Sequence, residues 1–339
     1  TGPDQPPADR AFPARLTWHH SRLPTGNPPV RIAWEQTSGL AVAKRHRLDV
    51  IHAPVNVTPA ITGVPRVVTV HDLAFHLFPE QYPGAKQRYL RVMTRFSVRR
   101  ASRVIAVSEA TRRDVIDIYG VDPARVVTVP NGVGPEFQPL ADETVREFRL
   151  SKGLPDNFVL FLGTLQPRKN LETLLKAYAR VHGEIGWELV VAGAVGWSHE
   201  AIFETARALG LADRVRFAGF VGTHELPLWY NAATVLVYPS VYEGFGLPLI
   251  EAMACGTPVI ASDSSALPEV VGDAGLIVGT KDVGGYAHSL LGLARSPDLR
   301  QELSHRGLKR AATYSWSRTA RETLEVYEQA IAADRQRGG

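Results

Sequence analysis

The stretch VLVYPSVYEGFGLPLIEAMACGTPVIAS, residues 235–262, decides the fold of this chain. It begins with an apolar run, Val235 to Tyr238, which is typical of a strand buried on both faces. A glycine-containing loop follows, and a helix is predicted from Leu247 to Cys255, with a proline in its first turn and Gly256 just past its end. A second apolar strand, Pro258 to Ala261, completes the unit. The order strand, loop, helix and strand indicates a parallel α/β sheet.

The loop and the start of the helix form a predicted site for a phosphorylated ligand. Backbone N–H groups and the positive end of a helix dipole point to one spot there, which suits phosphate. Glu243 precedes the helix, and Glu251 lies about one turn into it. Two carboxylates would repel a bare phosphate but would bind hydroxyl groups, so a sugar nucleotide is expected. The alternative is an ordinary helix start with two solvated glutamates.

The string Glu243-Gly-Phe-Gly-Leu-Pro-x-x-Glu251, preceded by Tyr-Pro-Ser-x-Tyr, resembles the E-x7-E signature of retaining glycosyltransferases of family 4. Members of this family have the GT-B fold, in which two Rossmann-like, doubly wound parallel-sheet lobes of the α/β class face a cleft. The resemblance covers roughly residues 49–320 and is most specific over 158–271. It implies that Glu251 binds the ribose hydroxyls and that Glu243 lies near the transferred sugar.

The chain length of 339 residues is that of about two domains. We expect an acceptor-side lobe at residues 1–140 and a nucleotide-sugar-binding lobe at 141–339, with the last helix packing back on the first lobe. Short strands are predicted at Arg15–His19 and Arg31–Ala33. Family members have a glycine-rich loop early in the first lobe, and none occurs here before residue 49. The first lobe is therefore expected to lack a strand or two.

Two adjacent cations, Arg168 and Lys169, follow the first predicted strand of the second lobe. An arginine binds phosphate in a bidentate manner and a lysine acts as a point charge, so the pair predicts a diphosphate clamp. The segment resembles the Gly-x-x-x-x-Arg-Lys loop of family 4, whose cations stabilise the leaving diphosphate. The family often has an arginine directly after the glycine, where this chain has Thr164. A surface Arg-Lys pair is the alternative interpretation.

Further donor contacts are implied by the resemblance. A strand is predicted over residues 215–220, and backbone groups at its end, Gly219-Phe220-Val221, are expected to hold the base, although a simple strand-to-helix turn explains this segment almost as well. The other implied donor-binding positions are Gly163, Thr164, Gly244, Phe245, Gly246 and Leu247. The glycines permit close approach of the backbone to a ligand.

His71 is the catalytic candidate of the first lobe. It follows the predicted strand Val67 to Val70, and ligands of open α/β sheets bind outside the carboxyl ends of strands. It resembles the histidine that family members present to the donor sugar, whereas a core histidine bonded to backbone is the alternative. Ser108 and Asn131-Gly132 also match family-like strings, but helix capping and turn formation explain them nearly as well.

No metal site or cofactor is expected. The sequence has no Asp-x-Asp pair after an apolar strand and no His/Cys cluster with metal spacing. The single cysteine, Cys255, excludes an internal disulfide framework and suits a reducing compartment. No apolar run approaches the roughly 18 residues of a spanning helix. We therefore predict a cytoplasmic protein, with peripheral contact to the inner face of the cell membrane as a further possibility.

The positive charge is concentrated in the first half of the chain. Residues 1–150 carry 20 Lys and Arg against 14 Asp and Glu, whereas residues 151–339 carry 18 against 20. A helix predicted over 84–102 bears a basic stripe at spacings of three and four, formed by Arg88, Arg91, Arg95 and Arg99. A solvated helix face is the first interpretation, and contact with a phosphorylated or lipid-linked acceptor, or with an anionic membrane, is the second. No nucleic-acid partner is expected.

The predicted function is retaining, metal-independent hexosyl transfer to a glycan or lipid-linked saccharide, by front-face displacement. The segments Gly-Thr-Leu-Gln-Pro-Arg-Lys-Asn-Leu and Thr-Val-His-Asp-Leu resemble mannosyltransferase members, so GDP-mannose is the first expected donor and UDP-glucose the second. One alternative is a protein that binds a nucleotide sugar without transferring it, because its first lobe is incomplete. A phosphorylase would need a lysine for a pyridoxal cofactor, and no signal supports one.

Overall fold

The structure, a computed structural model, describes residues 28–196, 200–211 and 213–338. Two parallel sheets organise these residues. The first sheet has four strands in the order β1-β2-β3-β4, and the second has six in the order β10-β9-β8-β5-β6-β7. In the second sheet the chain winds outward from β5 in one direction and from β8 in the other. This reversal defines a doubly wound sheet and places a ligand crevice between the ends of β5 and β8.

The first lobe is built from nine helices and strands in the described range. In chain order they are α1 (Pro28–Gln36), α2 (Ser38–Arg45), β1 (Ile51–Ala53), β2 (Arg66–Val70), α3 (Ala74–Leu77), α4 (Gly84–Arg100), β3 (Arg103–Ala106), α5 (Glu109–Tyr119) and β4 (Val126–Thr128). Val98 of α4 and Val115 of α5 join the core on one face of this sheet. The last helix of the chain covers the other face, and a parallel sheet is thus buried on both sides.

The second lobe begins after a connection that contains α6 (Asp142–Lys152). Its elements are β5 (Phe158–Leu162), α7 (Leu171–Ile185), β6 (Glu188–Ala192), α8 (Glu200–Ala208), β7 (Val215–Gly219), α9 (Leu226–Ala232), β8 (Val235–Tyr238), α10 (Leu247–Ala254), β9 (Val259–Ser262), α11 (Leu267–Val271), β10 (Leu276–Val278), α12 (Val283–Arg295) and α13 (Pro297–Ala311). The chain then forms a long helix, α14 (Trp316–Gly338).

The strand β8 is buried on both faces, as the opening stretch predicts. Leu236 and Tyr238 pack into the core on one side of the sheet, and Val235 and Val237 pack into the core on the other. All four side chains are at most 1% exposed. Burial of such a side chain contributes about 1.5–3 kcal/mol, so this strand anchors the second lobe.

The last helix crosses back to the first lobe. Val326 and Ala330 of α14 are buried against Val67 of β2 and Ile105 of β3. Tyr327 adds a polar contact, because its hydroxyl lies 2.7 Å from Nδ1 of His52 in β1. Burial lowers the pKa of His52 to about 4, so this half-buried histidine is neutral at pH 7.

One predicted strand is wrong and another lies outside the described residues. The segment Arg31–Ala33 belongs to helix α1. Three apolar or mixed residues are too few for periodicity to separate helix from strand, and prolines at the start of a helix supply a preset first turn. The strand predicted at Arg15–His19 lies outside the described residues. The shortened first lobe stays a prediction.

Candidate functional site

A buried cluster of three charges lies at the crevice between β5 and β8. A single 3₁₀ turn, Pro167–Lys169, follows β5 and presents Arg168 and Lys169. Glu243 lies in the loop after β8. Its Oε1 is 2.6 Å from Lys169 Nζ, and its Oε2 is 3.3 Å from an Arg168 nitrogen. Each of the three side chains is only about one-eighth exposed, at 11 or 12%.

Tyr238 completes this charge cluster. Lys169 Nζ donates a hydrogen bond to the Tyr238 hydroxyl at 2.5 Å, and that hydroxyl donates to Glu243 Oε1 at 3.1 Å. The Lys169 ammonium also lies 4.8 Å from the centroid of the Tyr238 ring, within reach of a cation–π contact. Burial raises the pKa of Tyr238 to about 12, so the hydroxyl remains a donor at neutral pH.

Glu243 and its two cations stay charged in spite of burial. Burial on its own would raise the pKa of Glu243, but the charges of Lys169 and Arg168 outweigh it and lower the pKa. Burial likewise acts to lower the pKa of Lys169, and Tyr238 and Glu243 reverse that effect. Two cations and one anion leave a net charge of +1. A low-exposure site with this charge favours an anionic ligand.

The loops that carry the charge cluster are fixed by hydrogen bonds. Asn170 adopts a left-handed conformation with φ of 54°, and its side-chain amide donates to the carbonyl groups of Pro239 and Thr280 at 3.0 and 2.7 Å. The Ser265 hydroxyl accepts from the Glu243 N–H at 2.8 Å and donates to its carbonyl at 2.9 Å. The cluster is therefore preorganised before any ligand arrives.

The glycine turn before α10, residues 244–246, offers backbone groups rather than side chains to a ligand. Phe245 is 5% exposed and packs edge-on against Tyr314, with ring centroids 5.6 Å apart. Gly246 caps α10 in a left-handed conformation with φ of 111°. Within the described part of the chain, the N–H groups of Phe245, Gly246 and Leu247 donate to no protein acceptor. They are therefore free to donate to ligand oxygens.

Glu251 occupies a different wall of the crevice from Glu243. It lies on α10 and accepts a hydrogen bond at 2.7 Å from the hydroxyl of the fully buried Tyr230. Burial raises the pKa of Glu251, and the hydrogen bond from Tyr230 only partly offsets this effect. A carboxylate held in this way by one donor keeps acceptor capacity for hydroxyl groups of a ligand.

The loops after β5, β6 and β7 lie side by side. Gly163 donates its N–H to Ala192 at 2.9 Å, and a Cβ on Gly193 would lie 2.0 Å from the Gly163 carbonyl oxygen. Thr164 is half-buried beside these glycines. Val221 is 9% exposed and packs into the core, so its side chain is not available to a ligand.

The sequence indicated a backbone role for Phe220, beside Val221, but not the exposure of its aromatic side chain. Phe220 follows the edge strand β7 and is 78% exposed. The available signal was a large aromatic residue directly at the carboxyl end of a strand, where ligands of α/β sheets bind.

His71 lies in the first lobe and is exposed at the end of β2. Its Nε2 is 2.8 Å from the Pro54 carbonyl oxygen, which can only accept, so Nε2 carries the proton. The backbone N–H of His71 donates to Asn56 at 3.3 Å. The imidazole is thus anchored to backbone, as the alternative interpretation expects, but it is not a core residue.

The two lobes touch through the glycine turn of the second lobe. A Cβ on Gly244 would lie 1.6 Å from the His71 carbonyl oxygen, so the two backbones are in direct contact. The Thr111 hydroxyl of α5 donates to the Gly244 carbonyl at 3.0 Å. Only glycine permits this approach. The structure therefore brings His71 next to the turn that carries Glu243.

Two further contacts between the lobes were not foreseen from the sequence. The Tyr242 hydroxyl donates to Asp114 of α5 at 2.7 Å. The carboxylate of Glu269 accepts from the first N–H groups of α5, those of Glu109 and Ala110, at 2.8 and 3.2 Å. A carboxylate at a helix N-terminus is favourable because of the helix dipole. Neither contact has a local sequence signature, since each joins residues more than 120 positions apart.

Two family models match the chain. The model described as Glycosyltransferase Family 4 matches residues 1–137, and the model of Glycosyl transferases group 1 matches residues 143–310. O-antigen chain mannosyltransferase B of Escherichia coli is 32% identical over 268 residues, which cover 77% of this chain and 70% of that protein. This chain belongs to the group 1 glycosyltransferases of family 4. The family resemblance seen in the sequence is therefore confirmed.

Two other relatives are named for different activities. D-inositol 3-phosphate glycosyltransferase 2 of Catenulispora acidiphila is 38% identical, over 68% of this chain and 57% of that protein. The serotype-specific mannosyltransferase WbdA of Escherichia coli is 30% identical, over 80% of this chain and 34% of that protein. This family 4 chain thus spans between about one-third and 70% of the length of these three relatives.

The comparison with solved structures confirms the GT-B fold. Sucrose-phosphate synthase from Thermosynechococcus elongatus superposes with a TM-score of 0.74 at 25% identity, over 98% of this chain and 88% of that one. Anabaena HepE in complex with UDP gives a TM-score of 0.75 at 22% identity, over 88% and 83% of the two chains.

Two searches within the described residues complete the site description. No group of three or more His, Cys, Asp or Glu residues in that range is arranged to hold a metal ion. No helix in the same range combines the length and apolar character needed to cross a membrane. Metal independence stays a prediction.

Proposed function

We propose that the protein transfers a hexose from a nucleoside diphosphate sugar to a saccharide acceptor, with retention of configuration and without a metal ion. The observation that carries the proposal is the buried charge cluster of Arg168, Lys169 and Glu243 at the switch point of the second sheet. Its net charge of +1 suits a diphosphate, and its carboxylate suits sugar hydroxyls. Arg168 and Lys169 supply the positive charge that a metal ion would otherwise provide.

The donor is proposed to lie across the crevice of the second lobe. Diphosphate oxygens accept hydrogen bonds from Arg168, Lys169 and the free N–H groups of the glycine turn. The hexose hydroxyls donate to Glu243, and the ribose hydroxyls donate to Glu251. The base lies against the backbone of Val221, with the exposed ring of Phe220 available for stacking.

The proposed reaction is a front-face displacement. The bond between C1 of the hexose and the phosphate oxygen breaks, and a bond from C1 to the acceptor oxygen forms on the same face. The proton of the acceptor hydroxyl passes to the departing phosphate oxygen, so no protein nucleophile is needed. Arg168 and Lys169 stabilise the charge that develops on that phosphate. The His71 imidazole is proposed to form a hydrogen bond with a hexose hydroxyl through Nδ1, since Nε2 lies 2.8 Å from the Pro54 carbonyl oxygen.

GDP-mannose is the first proposed donor, and a glycan or lipid-linked saccharide is the proposed acceptor. Two of the relatives described above are named mannosyltransferases, and one of them is named for the O-antigen chain. UDP-glucose is the second proposed donor. HepE of Anabaena, which shares the fold, is described in complex with UDP-glucose.

A donor panel tests this proposal. The protein would be incubated with GDP-mannose, UDP-glucose and other nucleotide sugars and a mannoside acceptor, with nucleotide release and the anomeric configuration of the product measured by NMR. Transfer with retention, unchanged by a chelator and lost in Glu243→Ala, is expected. An inverted product would overturn the proposed stereochemistry, and donor binding without any release would favour a nucleotide-sugar-binding protein instead.

A matched control uses an exposed carboxylate of the same lobe. Glu172 lies on α7, 43% exposed, in a weak ion pair with Lys176. Glu172→Ala should leave transfer unchanged because the side chain faces solvent. Equal loss of transfer in both variants would argue against a specific role for Glu243.

A further inference from the structure

A second cationic site lies in the first lobe, apart from the donor crevice. A cavity of about 360 Å³ opens between α3, α4 and α5, and three arginines of α4 line it together with His76 and Tyr119. We call it the basic pocket; its arginines are Arg88, Arg91 and Arg95. Tyr119 ends α5, a helix whose first residues contact the second lobe. At 1.5 Å per residue it lies about 15 Å from that contact.

The three arginines have no counter-charge among the described residues. Their side chains are exposed, and within the described part of the chain none of them makes an ion pair or a hydrogen bond. They recur at spacings of three and four on one helix, where like charges repel each other. An anion bound among them would relieve this repulsion.

Tyr119 provides an independent sign of a missing ligand. The side chain is 2% exposed, and its hydroxyl has no hydrogen-bond partner. Burial raises the pKa of Tyr119 to about 12, so the hydroxyl is a donor at any ordinary pH. Buried hydroxyl groups without a partner are costly and rare in native proteins. Tyr119 also lines the basic pocket, so a small shift of this side chain toward a bound acceptor oxygen would satisfy its hydroxyl.

His76, on the opposite wall of the basic pocket, is a second residue with a buried polar atom that lacks a hydrogen-bond partner. Its Nδ1 is buried without a partner, and its ring lies edge-on to Tyr119, with centroids 6.1 Å apart. Burial and the charge of Arg91 lower the pKa of His76, so the pocket gains no charge from this residue when empty. Two unsatisfied polar groups and three free guanidinium groups therefore surround one cavity.

We propose that the basic pocket binds a phosphate group of a ligand other than the sugar donor. Arginine is the side chain best suited to phosphate, because its planar fork donates two hydrogen bonds to two oxygens. A phosphate would also accept from Tyr119. The cavity has room for more than phosphate alone, and Ile118 and Val92 give it an apolar wall. The ligand is thus a phosphorylated small molecule or the headgroup of a phospholipid.

Phosphate binding in the basic pocket does not depend on the proposed transfer reaction. An experiment can therefore contradict one of the two proposals without affecting the other. The test is ³¹P NMR titration with inorganic phosphate, comparing the wild type with Lys169→Ala, with Arg91→Gln/Arg95→Gln and with Tyr119→Phe. Two sites are expected in the wild type, of which Lys169→Ala removes only the donor site. The double arginine variant should weaken the other site by roughly tenfold or more.

Tyr119→Phe separates binding from folding. Because the hydroxyl makes no hydrogen bond in the protein, the variant should keep the wild-type unfolding midpoint while phosphate binding weakens. Arg321→Gln on α14 is the matched control, since Arg321 is exposed and distant in sequence from the pocket. It should leave both sites unchanged.

A second experiment, with phospholipid vesicles, distinguishes a lipid headgroup from a phosphorylated small molecule as the source of the phosphate group. Sedimentation with phosphatidylglycerol vesicles would be compared between the wild type and the double arginine variant. Binding of both free phosphate and vesicles through the same arginines identifies a lipid headgroup as ligand, and binding of free phosphate alone identifies a phosphorylated small molecule. Vesicle binding without a second phosphate site would overturn the pocket proposal in favour of a flat basic surface. Binding of phosphate at the second site that persists in Arg91→Gln/Arg95→Gln would also overturn the pocket proposal.

Discussion

The charge cluster of the second lobe and the basic pocket of the first lobe use the same chemistry in opposite ways. In the cluster, Arg168 and Lys169 are nearly buried and paired with Glu243. In the pocket, Arg91 and Arg95 are exposed and have no ion-pair partner within the described residues. A buried cation needs a partner because desolvation is expensive, whereas an exposed cation is stabilised by water. The cluster is therefore part of the fold, and the pocket depends on its ligand.

Lys169→Ala gives the largest expected effect, because it removes one of the two paired cations of the charge cluster. The variant removes the ammonium that lies 2.6 Å from Glu243 and would contact the leaving diphosphate. Loss of one preorganised charge-stabilising group costs about 100- to 1,000-fold in turnover. Initial rates of nucleotide release from the active donor measure this effect. Lys176→Ala, an exposed lysine on α7, is the control, and turnover of Lys169→Ala within twofold of it would contradict the assignment.

Gly244→Ala should give the second-largest effect. It pushes the two lobes apart but leaves the charge cluster intact. Its Cβ would lie 1.6 Å from the His71 carbonyl oxygen, so the lobes must move apart. A displacement of about 1 Å is enough for roughly 100-fold loss of transfer. Donor binding, measured calorimetrically, should change far less than transfer, since the second lobe keeps its loops.

Gly183→Ala is the control for the glycine change. Gly183 lies inside α7, and a Cβ there would meet nothing within 4 Å. This substitution should stabilise the protein by about 0.5–1 kcal/mol without affecting transfer. If Gly244→Ala behaved in the same way, the contact between the lobes would have no role in the reaction.

The two glutamates of the signature should show opposite pH dependence of stability. The pKa of Glu243 is lowered below its ordinary value of 4.5 by its cations, so its contribution is present above that pH and is lost on acidification. The pKa of Glu251 is raised by burial, so its contribution is present below pH 4.5 and is lost as the pH rises through the raised pKa.

Urea unfolding on both sides of pH 4.5 checks both signs. The free energy of unfolding of the wild type relative to Glu243→Gln should decrease as the pH falls below about 4.5. Relative to Glu251→Gln it should decrease as the pH rises above about 4.5. Parallel curves for the two variants would mean that the two carboxylates lie in equivalent environments, contrary to the structure.

The smallest expected effect concerns the exposed arginines of the basic pocket. In the absence of ligand, Arg91→Gln/Arg95→Gln should raise the free energy of unfolding slightly, because like charges on one helix destabilise it by about 0.2–0.5 kcal/mol per pair. Chemical denaturation at low salt measures this gain, and high salt should remove it. A loss of stability would show that these arginines have counter-charges within the protein.

Much of the second lobe could be predicted from local sequence. The strand Val235–Tyr238, the glycine turn and α10 follow each other within one stretch, and their apolar runs and punctuating residues are strong signals. The first lobe was harder, since Arg31–Ala33 was predicted as a strand but forms part of α1. In the second lobe the exposed ring of Phe220 was not predicted, because exposure cannot be deduced from a short apolar run.

The sequence by itself determined the two α/β lobes, the family and the residues that would carry charge at the strand ends. These depend on periodicity and on a contiguous motif, both of which are local. Only the tertiary structure decided that Glu243 pairs with Arg168 and Lys169, that Gly244 touches His71, and that Tyr119 closes a pocket beside the arginines of α4. The physical reason is that strand order and helix packing bring together residues distant in sequence, and burial then selects which charges must be paired.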